Sequence, residues 1–356
     1  MRSPCAGSAS LKPYEYIPKR PRAEAVSHRP APNPRAGRTP TPESHTCSFA
    51  GYTAGMRSIA VINQKGGVGK TTTAVNLAAA LAAANQRVLL IDLDPQAHAT
   101  MHLGVDLSST DQSVYDVIVG GQPLTAAARS INQGLVLVPA TIDLVEAEIS
   151  LAGRQARETV LARALEPCQD GFDYCLIDCA PSLGLLTINA LAAVQEVLIP
   201  LQPHFLALQG LGRLLQTVAL VQRQVNRRLR VCGIILCMFE AATRLAQEVH
   251  ADVERFLAAA RPEEPWHAAR VFKTVIRRNI KLAECPSFGR TIFDYAPSSH
   301  GAEDYRALAR ELVEMLPAAG AAPSLTRVAP FQHSVAPAYV SAHRPGDRGA
   351  EDSNAR

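Results

Sequence analysis

The stretch "NQKGGVGKTT", Asn63 to Thr72, decides how this chain reads. It follows the short apolar, β-branched run "SIAVIN" (58–63) and opens "TTTAVNLAAALAAAN" (71–85), which is Ala/Leu-rich with helical spacing. A glycine-rich turn between a strand and a helix is suited to phosphate. Glycines let backbone N–H groups turn inward around phosphate oxygens. The helix N-terminus adds its partial positive charge. Lys70 is placed to reach the β- and γ-phosphates, and the Thr71 hydroxyl to ligate Mg²⁺. The usual pattern wants a glycine five residues before Gly69, and this chain has Gln64 there, so the loop is a variant. It also carries a second lysine, Lys65, which a one-lysine cradle does not need.

Outward from the loop, strand and helix patterns alternate. Strands are expected at "RVLLIDLD" (87–94), "LVLVP" (135–139), "YCLIDC" (174–179), "EVLIPLQ" (196–202), "RVCGIILCMF" (230–239) and "RVFKTVI" (270–276), with helical stretches between them. Near-continuous apolar strands alternating with helices predict an α/β fold, a doubly wound and mainly parallel sheet covered on both faces.

Phosphoryl transfer also needs carboxylates near the metal and the attacking water. "LLIDLDPQ" ends a strand with Asp92 and Asp94, and "CLIDCAPS" ends another with Asp178. In an open parallel sheet, ligands bind beyond the carboxyl ends of the strands, so these acids can converge on the loop. Asp178 is expected to hold Mg²⁺ through water, and Asp94 to position or polarise the attacking water. Asp92 can take either role or cap its strand.

Composition bounds the rest. The chain has 356 residues, 47% of them hydrophobic, and no apolar run of membrane-spanning length. Nor do the first residues form an apolar signal core. None of the eight cysteines forms a C-x-x-C pair, which speaks against a metal or disulfide framework and for reduced thiols. The formal charge of +4 is uneven. Residues 1–55 hold eight Lys/Arg and three Glu, so the other 301 residues sum to about −1. Net charge therefore does not mark the folded body as a nucleic-acid binder. The same 55 residues carry nine of the 25 prolines and are expected to be disordered. They read either as a basic arm that touches an anionic partner or as sequence upstream of a true start at Met56. A folded domain over 56–316 and a flexible tail over 317–356 complete the expected organisation.

Several blocks in order resemble the ParA/Soj family of partition ATPases, deviant-Walker members of the P-loop class: "IAVINQKGGVGKTTTAVNLAAALA", "VLLIDLDPQAHAT", "FDYCLIDCAPSLGLLTINAL", "VLIPLQPHFLALQGL" and "VFKTVIRRNIKLAECPSFGRTIFDY". The resemblance implies a Mg²⁺-dependent ATPase in which two subunits sandwich two ATP molecules. Lys65 matches the signature lysine that reaches the partner's phosphates, Lys70 the in-subunit lysine, Asp94 the acid required for hydrolysis and Asp178 the second acidic motif. The implied catalytic set is Asp94, Lys65 and Lys70. The implied nucleotide set is Lys65, Gly66, Gly67, Val68, Gly69, Lys70, Thr71 and Thr72, with Asn279 at the base. The family further implies non-specific DNA binding in the ATP state, a ParB-like partner that stimulates hydrolysis, a cytoplasmic and nucleoid-associated location, and DNA segregation as the task. Positioning of a protein cargo is the alternative. A membrane-associated relative of the MinD type is disfavoured, because the proline-containing tail lacks a sustained amphipathic period.

Two departures bear on DNA. Where the family has the arginine of "DART", this chain has Ala242 in "EAAT", with Arg244 two residues on. Where the family usually has proline, it has Arg277, in "IRRNIKL". Arg277, Arg278 and Lys281 are expected to form a local basic patch, and with Arg244 they are the candidate DNA contacts.

Overall fold

Neighbouring residues on the central strands enter different apolar layers, so both faces of the sheet are covered. Ile59, Val61, Val88 and Leu90 pack in one buried cluster, and Ala60, Leu89 and Ile91 in another. Strands apolar on both faces, with a side-chain period of two, can be buried only between two layers of helices. The computed structural model describes residues 55–109 and 111–315. The expected N-terminal extension and C-terminal tail lie outside the described residues, apart from Gly55.

The strands are β1 (Arg57–Val61), β2 (Val88–Leu93), β3 (Arg129–Asn132), β4 (Leu135–Val138), β5 (Tyr174–Cys179), β6 (Glu196–Leu201), β7 (Arg230–Phe239), β8 (Arg270–Val271) and β9 (Ile276–Arg277). Their order is β3-β4-β2-β5-β1-β6-β7-β8, with β9 against β7. Every pairing is parallel except β3 with β4. The doubly wound, mainly parallel sheet is thus as expected. Among the described residues no helix is long and apolar enough to cross a membrane.

The helices that bear on function are α1 (Lys70–Ala83), α2 (Ala207–Gln224), α3 (Arg244–Ala258), α4 (Ile280–Glu284) and α5 (His300–Glu314). Helix α1 is buried along most of its length and packs with α5 on one face of the sheet. Its alanines keep it slim enough to lie close against strands and helix together. Helices α2 and α3 bury Leu211, Leu214, Val249 and Val253 on the other face. They are strongly amphipathic, with charged residues on their outer sides.

Two differences from the sequence reading have local causes. "RVFKTVI" is not one strand. The backbone N–H groups of Lys273 and Thr274 donate to the Glu311 carboxylate of α5, at 2.8 and 2.9 Å, instead of to a ladder. That capture divides the run into β8 and β9. Strand β3, "RSIN", is an antiparallel edge strand with alternating exposure, and no apolar run announces it.

A buried ionic cluster ties the sheet to the end of α5. Arg57 pairs with Glu196 at 2.8 Å and donates to the carbonyls of Leu312 and Met315, while Arg230 takes the other Glu196 oxygen at 2.5 Å. Glu196 is 1% exposed, so its charge is tolerated only because both oxygens are paired.

Candidate nucleotide site

The phosphate loop leaves the carboxyl end of β1, the strand between β5 and β6. Asn63 anchors its start. The amide donates to the Pro200 carbonyl at 2.7 Å, and the side-chain oxygen accepts from the Lys65 N–H at 3.0 Å. Gly67 and Gly69 have φ of 72° and 94°, a region that L side chains rarely adopt. A Cβ built on Gly66 or Gly67 would meet no protein atom within 4 Å, so the concave side of the loop is open to a ligand. Val68 is buried and pins the loop to the body.

The two lysines part company. Lys70 is 7% exposed, and its ammonium donates to the Lys65 carbonyl at 3.3 Å. Burial lowers its pKa, while the charges of Asp178 and Asp94 pull it back up. Lys65 is exposed, and among the described residues it is in no ion pair. Its charge reaches His204, on the loop after β6, and helps burial lower that imidazole's pKa.

The three acids take distinct places. Asp92 is fully buried and accepts from the Thr100 N–H at 2.8 Å, the Thr100 hydroxyl at 2.7 Å and the Asp94 N–H at 3.2 Å. The Thr100 hydroxyl in turn accepts from the Ala140 N–H at 3.0 Å. Of the roles open to Asp92, this geometry favours the structural one: it holds the turn after β2 against the end of β4. Burial lifts its carboxyl to about 6. Asp94 is 6% exposed, and one of its oxygens caps Gln96 N–H at 2.9 Å. Asp178 lies beside Val61 on β1 and beside Asp92 on β2. Neither of its oxygens has a hydrogen-bond partner, although both are buried. Burial drives its carboxyl well above the usual range, the Asp92 and Asp94 charges add to this, and nearby Thr71 and Lys70 oppose it.

An orphaned buried carboxylate next to a helix-terminal threonine suits a hydrated Mg²⁺. That ion keeps most of its waters and binds through one or two carboxylates plus phosphates. Among the described residues no group of three or more His, Cys, Asp or Glu is placed to hold a metal ion.

On the other side of the α1 N-terminus lies a pocket of about 410 Å³ whose walls include Gly69, Thr72, Cys237, Met238, Asn279 and Tyr305. Asn279 caps α4, its oxygen accepting from the Lys281 N–H at 2.8 Å. Sequence reasoning assigned Gly69, Thr72 and Asn279 to the nucleotide but missed Cys237, Met238 and Tyr305. Met238 has φ of 52° at the bulge between β7 and β9, a conformation that no local motif signals. Tyr305 comes from α5, and its hydroxyl lies 3.2 Å from that of Thr73, within α1.

The candidate DNA contacts are all acid-paired. Arg244 meets Glu248 at 2.7 Å, Arg278 meets Glu240 at 3.4 Å and Lys281 meets Glu284 at 2.9 Å. Arg277 lines the pocket and is clamped to Asp304 at 2.6 Å and to Glu303 at 3.2 Å. Its backbone N–H also donates to Asp304 at 2.9 Å, a bond that proline could not make. The local basic patch expected from the sequence is therefore neutralised: carboxylates from α4, α5 and the turn after β7 surround it.

A variant phosphate loop at the carboxyl end of a central strand, flanked by strand-end acids in a doubly wound sheet, defines a P-loop ATPase. The family model described as an AAA domain matches residues 56–231. The chain is 46% identical over 255 residues to the sporulation initiation inhibitor protein Soj of Bacillus subtilis, covering 71% of this chain and 97% of that protein. It is 43% identical over 265 residues to the chromosome partitioning protein ParA of Myxococcus xanthus, covering 74% and 90%. The chain belongs to the Soj/ParA family of chromosome-partitioning ATPases. Among solved structures, cobyrinic acid a,c-diamide synthase from Mycobacterium smegmatis with bound ATP analog and magnesium matches with a TM-score of 0.61 at 38% identity, covering 73% of this chain and 95% of that one. The septum site-determining protein MinD of Pyrococcus horikoshii, complexed with Mg-ADP, shares the fold with a TM-score of 0.55 at 24% identity, covering 72% and 96%.

Proposed function

We propose that this protein is a Mg²⁺-dependent ATPase that dimerises on ATP, binds DNA without sequence preference in that state, and segregates chromosome or plasmid DNA with a ParB-like partner. The observation that carries the reading is the split between its two loop lysines. Lys70 is buried and turned into its own loop, whereas Lys65 projects from the same loop, exposed and, among the described residues, in no ion pair. A lysine in that position is available to phosphates held by a second subunit.

In each subunit the N–H groups of Gly66 to Thr72 hold the phosphate oxygens, and the Lys70 ammonium lies among them. Thr71, and Asp178 through water, would hold Mg²⁺, whose charge offsets that of the phosphates when it is bound. Asp94 orients the attacking water. Asn279, Met238 and Tyr305 border the space for the base. Lys65 completes the partner's site, so turnover and dimerisation become one event. The ATP-bound dimer is the nucleoid-associated form, and a ParB-like partner accelerates hydrolysis and releases it.

Retention on non-specific duplex DNA with ATP, ADP and no nucleotide tests the reading. ATP-dependent retention that falls with salt supports it. Retention indifferent to nucleotide contradicts it.

A further inference from the structure

The loop that follows Asp178 is held by a residue from elsewhere in the chain. Strand β5 lies between β2 and β1. Residues 180–184, after its carboxyl end, therefore leave the sheet between the phosphate loop and the turn that carries Asp94. They lead into the helix Leu185–Ala193, whose N-cap, Gly184, offers no side chain to the free N–H groups of the first turn. Glu148 supplies an acceptor. It belongs to a separate helix, Leu144–Ala152, and takes the Leu186 N–H at 3.4 Å. A carboxylate there also suits the positive end of the helix.

Gly184 is fitted to that carboxylate. Its φ of −79° is open to any residue, so its backbone does not call for glycine. Space does: a Cβ built there would collide with the Glu148 carboxylate and lie 2.9 Å from its Cδ. Thr187 tightens the same loop, its hydroxyl donating to the Ser182 carbonyl at 2.6 Å. The segment that carries Glu148 starts at the other acids. Just after β4, the Ala140 N–H donates to the Thr100 hydroxyl, which itself donates to Asp92. Residues 140–148 thus run from the turn that carries Asp94 to the loop that follows Asp178.

We infer that Glu148 is a positioning residue for ATP hydrolysis. Through Leu186 and Gly184 it fixes the loop after Asp178. It thereby sets the space between Asp178 and Asp94 that the attacking water and the hydrated Mg²⁺ share. The inference rests on the roles proposed for those two acids. Glu148 acts through the backbone and needs no contact with the nucleotide. Its loss should misplace the reacting groups and slow the chemical step, while the grip on the α- and β-phosphates stays with the phosphate loop. Glycine at 184 is then the sequence mark of the contact, since any larger residue displaces the carboxylate.

The test is a double-variant cycle on the full chain, read as kcat at saturating Mg²⁺–ATP beside the affinity for Mg²⁺–ADP. Glu148→Ala and Gly184→Ala should each lower kcat about tenfold. ADP, which lacks the γ-phosphate, should bind both variants as it binds wild type. The two changes break one contact, so the double variant should be no slower than either single one. Glu148→Gln keeps an acceptor for the Leu186 N–H and should recover part of the rate. Glu146→Ala, an exposed acid on the same helix, should leave turnover unchanged. Wild-type kcat in Glu148→Ala would overturn the inference. So would ADP affinity that falls in step with kcat, or a double variant that multiplies the two single losses. Normal turnover in Asp94→Ala would overturn instead the roles on which the inference rests, and the inference with them.

Discussion

Asp92 and Asp178 stand side by side in register on β2 and β5, both fully buried, yet one accepts three hydrogen bonds and the other none. The contrast separates structure from chemistry. Asp92 secures the turn that carries Asp94. Asp178 carries the cost of a buried carboxylate without a partner, in keeping with the Mg²⁺ role proposed for it.

That cost should be visible as pH dependence. Both carboxyls are raised, Asp92 to about 6. The stabilisation they contribute is complete below the ordinary carboxylate value near 4 and is lost as pH rises through their folded values. Buried His102, lowered to about 4, runs the other way, losing stability as pH falls below 6.5. The comparison of wild type with Asp178→Asn cancels the histidine. By chemical denaturation without nucleotide, the variant should gain on wild type as pH rises from 4, and be about 1–3 kcal/mol more stable at pH 8. It should bind Mg²⁺–nucleotide more weakly.

Arg277 should act on the base and not on the phosphates. Arg277→Pro removes both the guanidinium clamp on Asp304 and the backbone bond, leaving a largely buried carboxylate without its partner. ATP affinity should fall about tenfold, equivalent to roughly 1.4 kcal/mol. Inorganic tripolyphosphate, which lacks a base, should bind as to wild type. Calorimetry with both ligands distinguishes this outcome from a general loss of fold.

Arg57→Ala should be severe. It strips one cation from the buried Glu196 and frees the two carbonyls at the end of α5. Breaking a buried pair in this way costs about 3–5 kcal/mol, read as the shift in the denaturation midpoint. Arg230→Ala should cost less, because Arg230 is more exposed.

Asp94→Ala should bind ATP and dimerise but fail to turn it over. Normal single-turnover hydrolysis in this variant would remove Asp94 from the mechanism.

Much of this was legible in the sequence, for physical reasons. Buried parallel strands must be apolar on both faces, so "YCLIDC" and "RVCGIILCMF" declare themselves to the residue. The phosphate loop is equally local, since its glycines, lysine and threonine are contiguous. What the sequence hides is pairing across distance. Nothing near Lys273 announces that Glu311 takes its N–H, and nothing near Arg277 announces Asp304. The expected patch looked cationic because the acid partners of its two arginines lie elsewhere in the chain, at Asp304 for Arg277 and at Glu240 for Arg278.

The central claim is that Lys65 turns a nucleotide pocket into half of a dimer. Light scattering of wild type and Lys65→Ala, each with ADP and with a non-hydrolysable ATP analogue plus Mg²⁺, measures it directly. Wild type should be a dimer only with the analogue. Lys65→Ala should bind the analogue, as a fluorescent derivative reports, and remain a monomer, whereas Lys70→Ala should not bind it. A Lys65→Ala protein that dimerises like wild type would contradict the account.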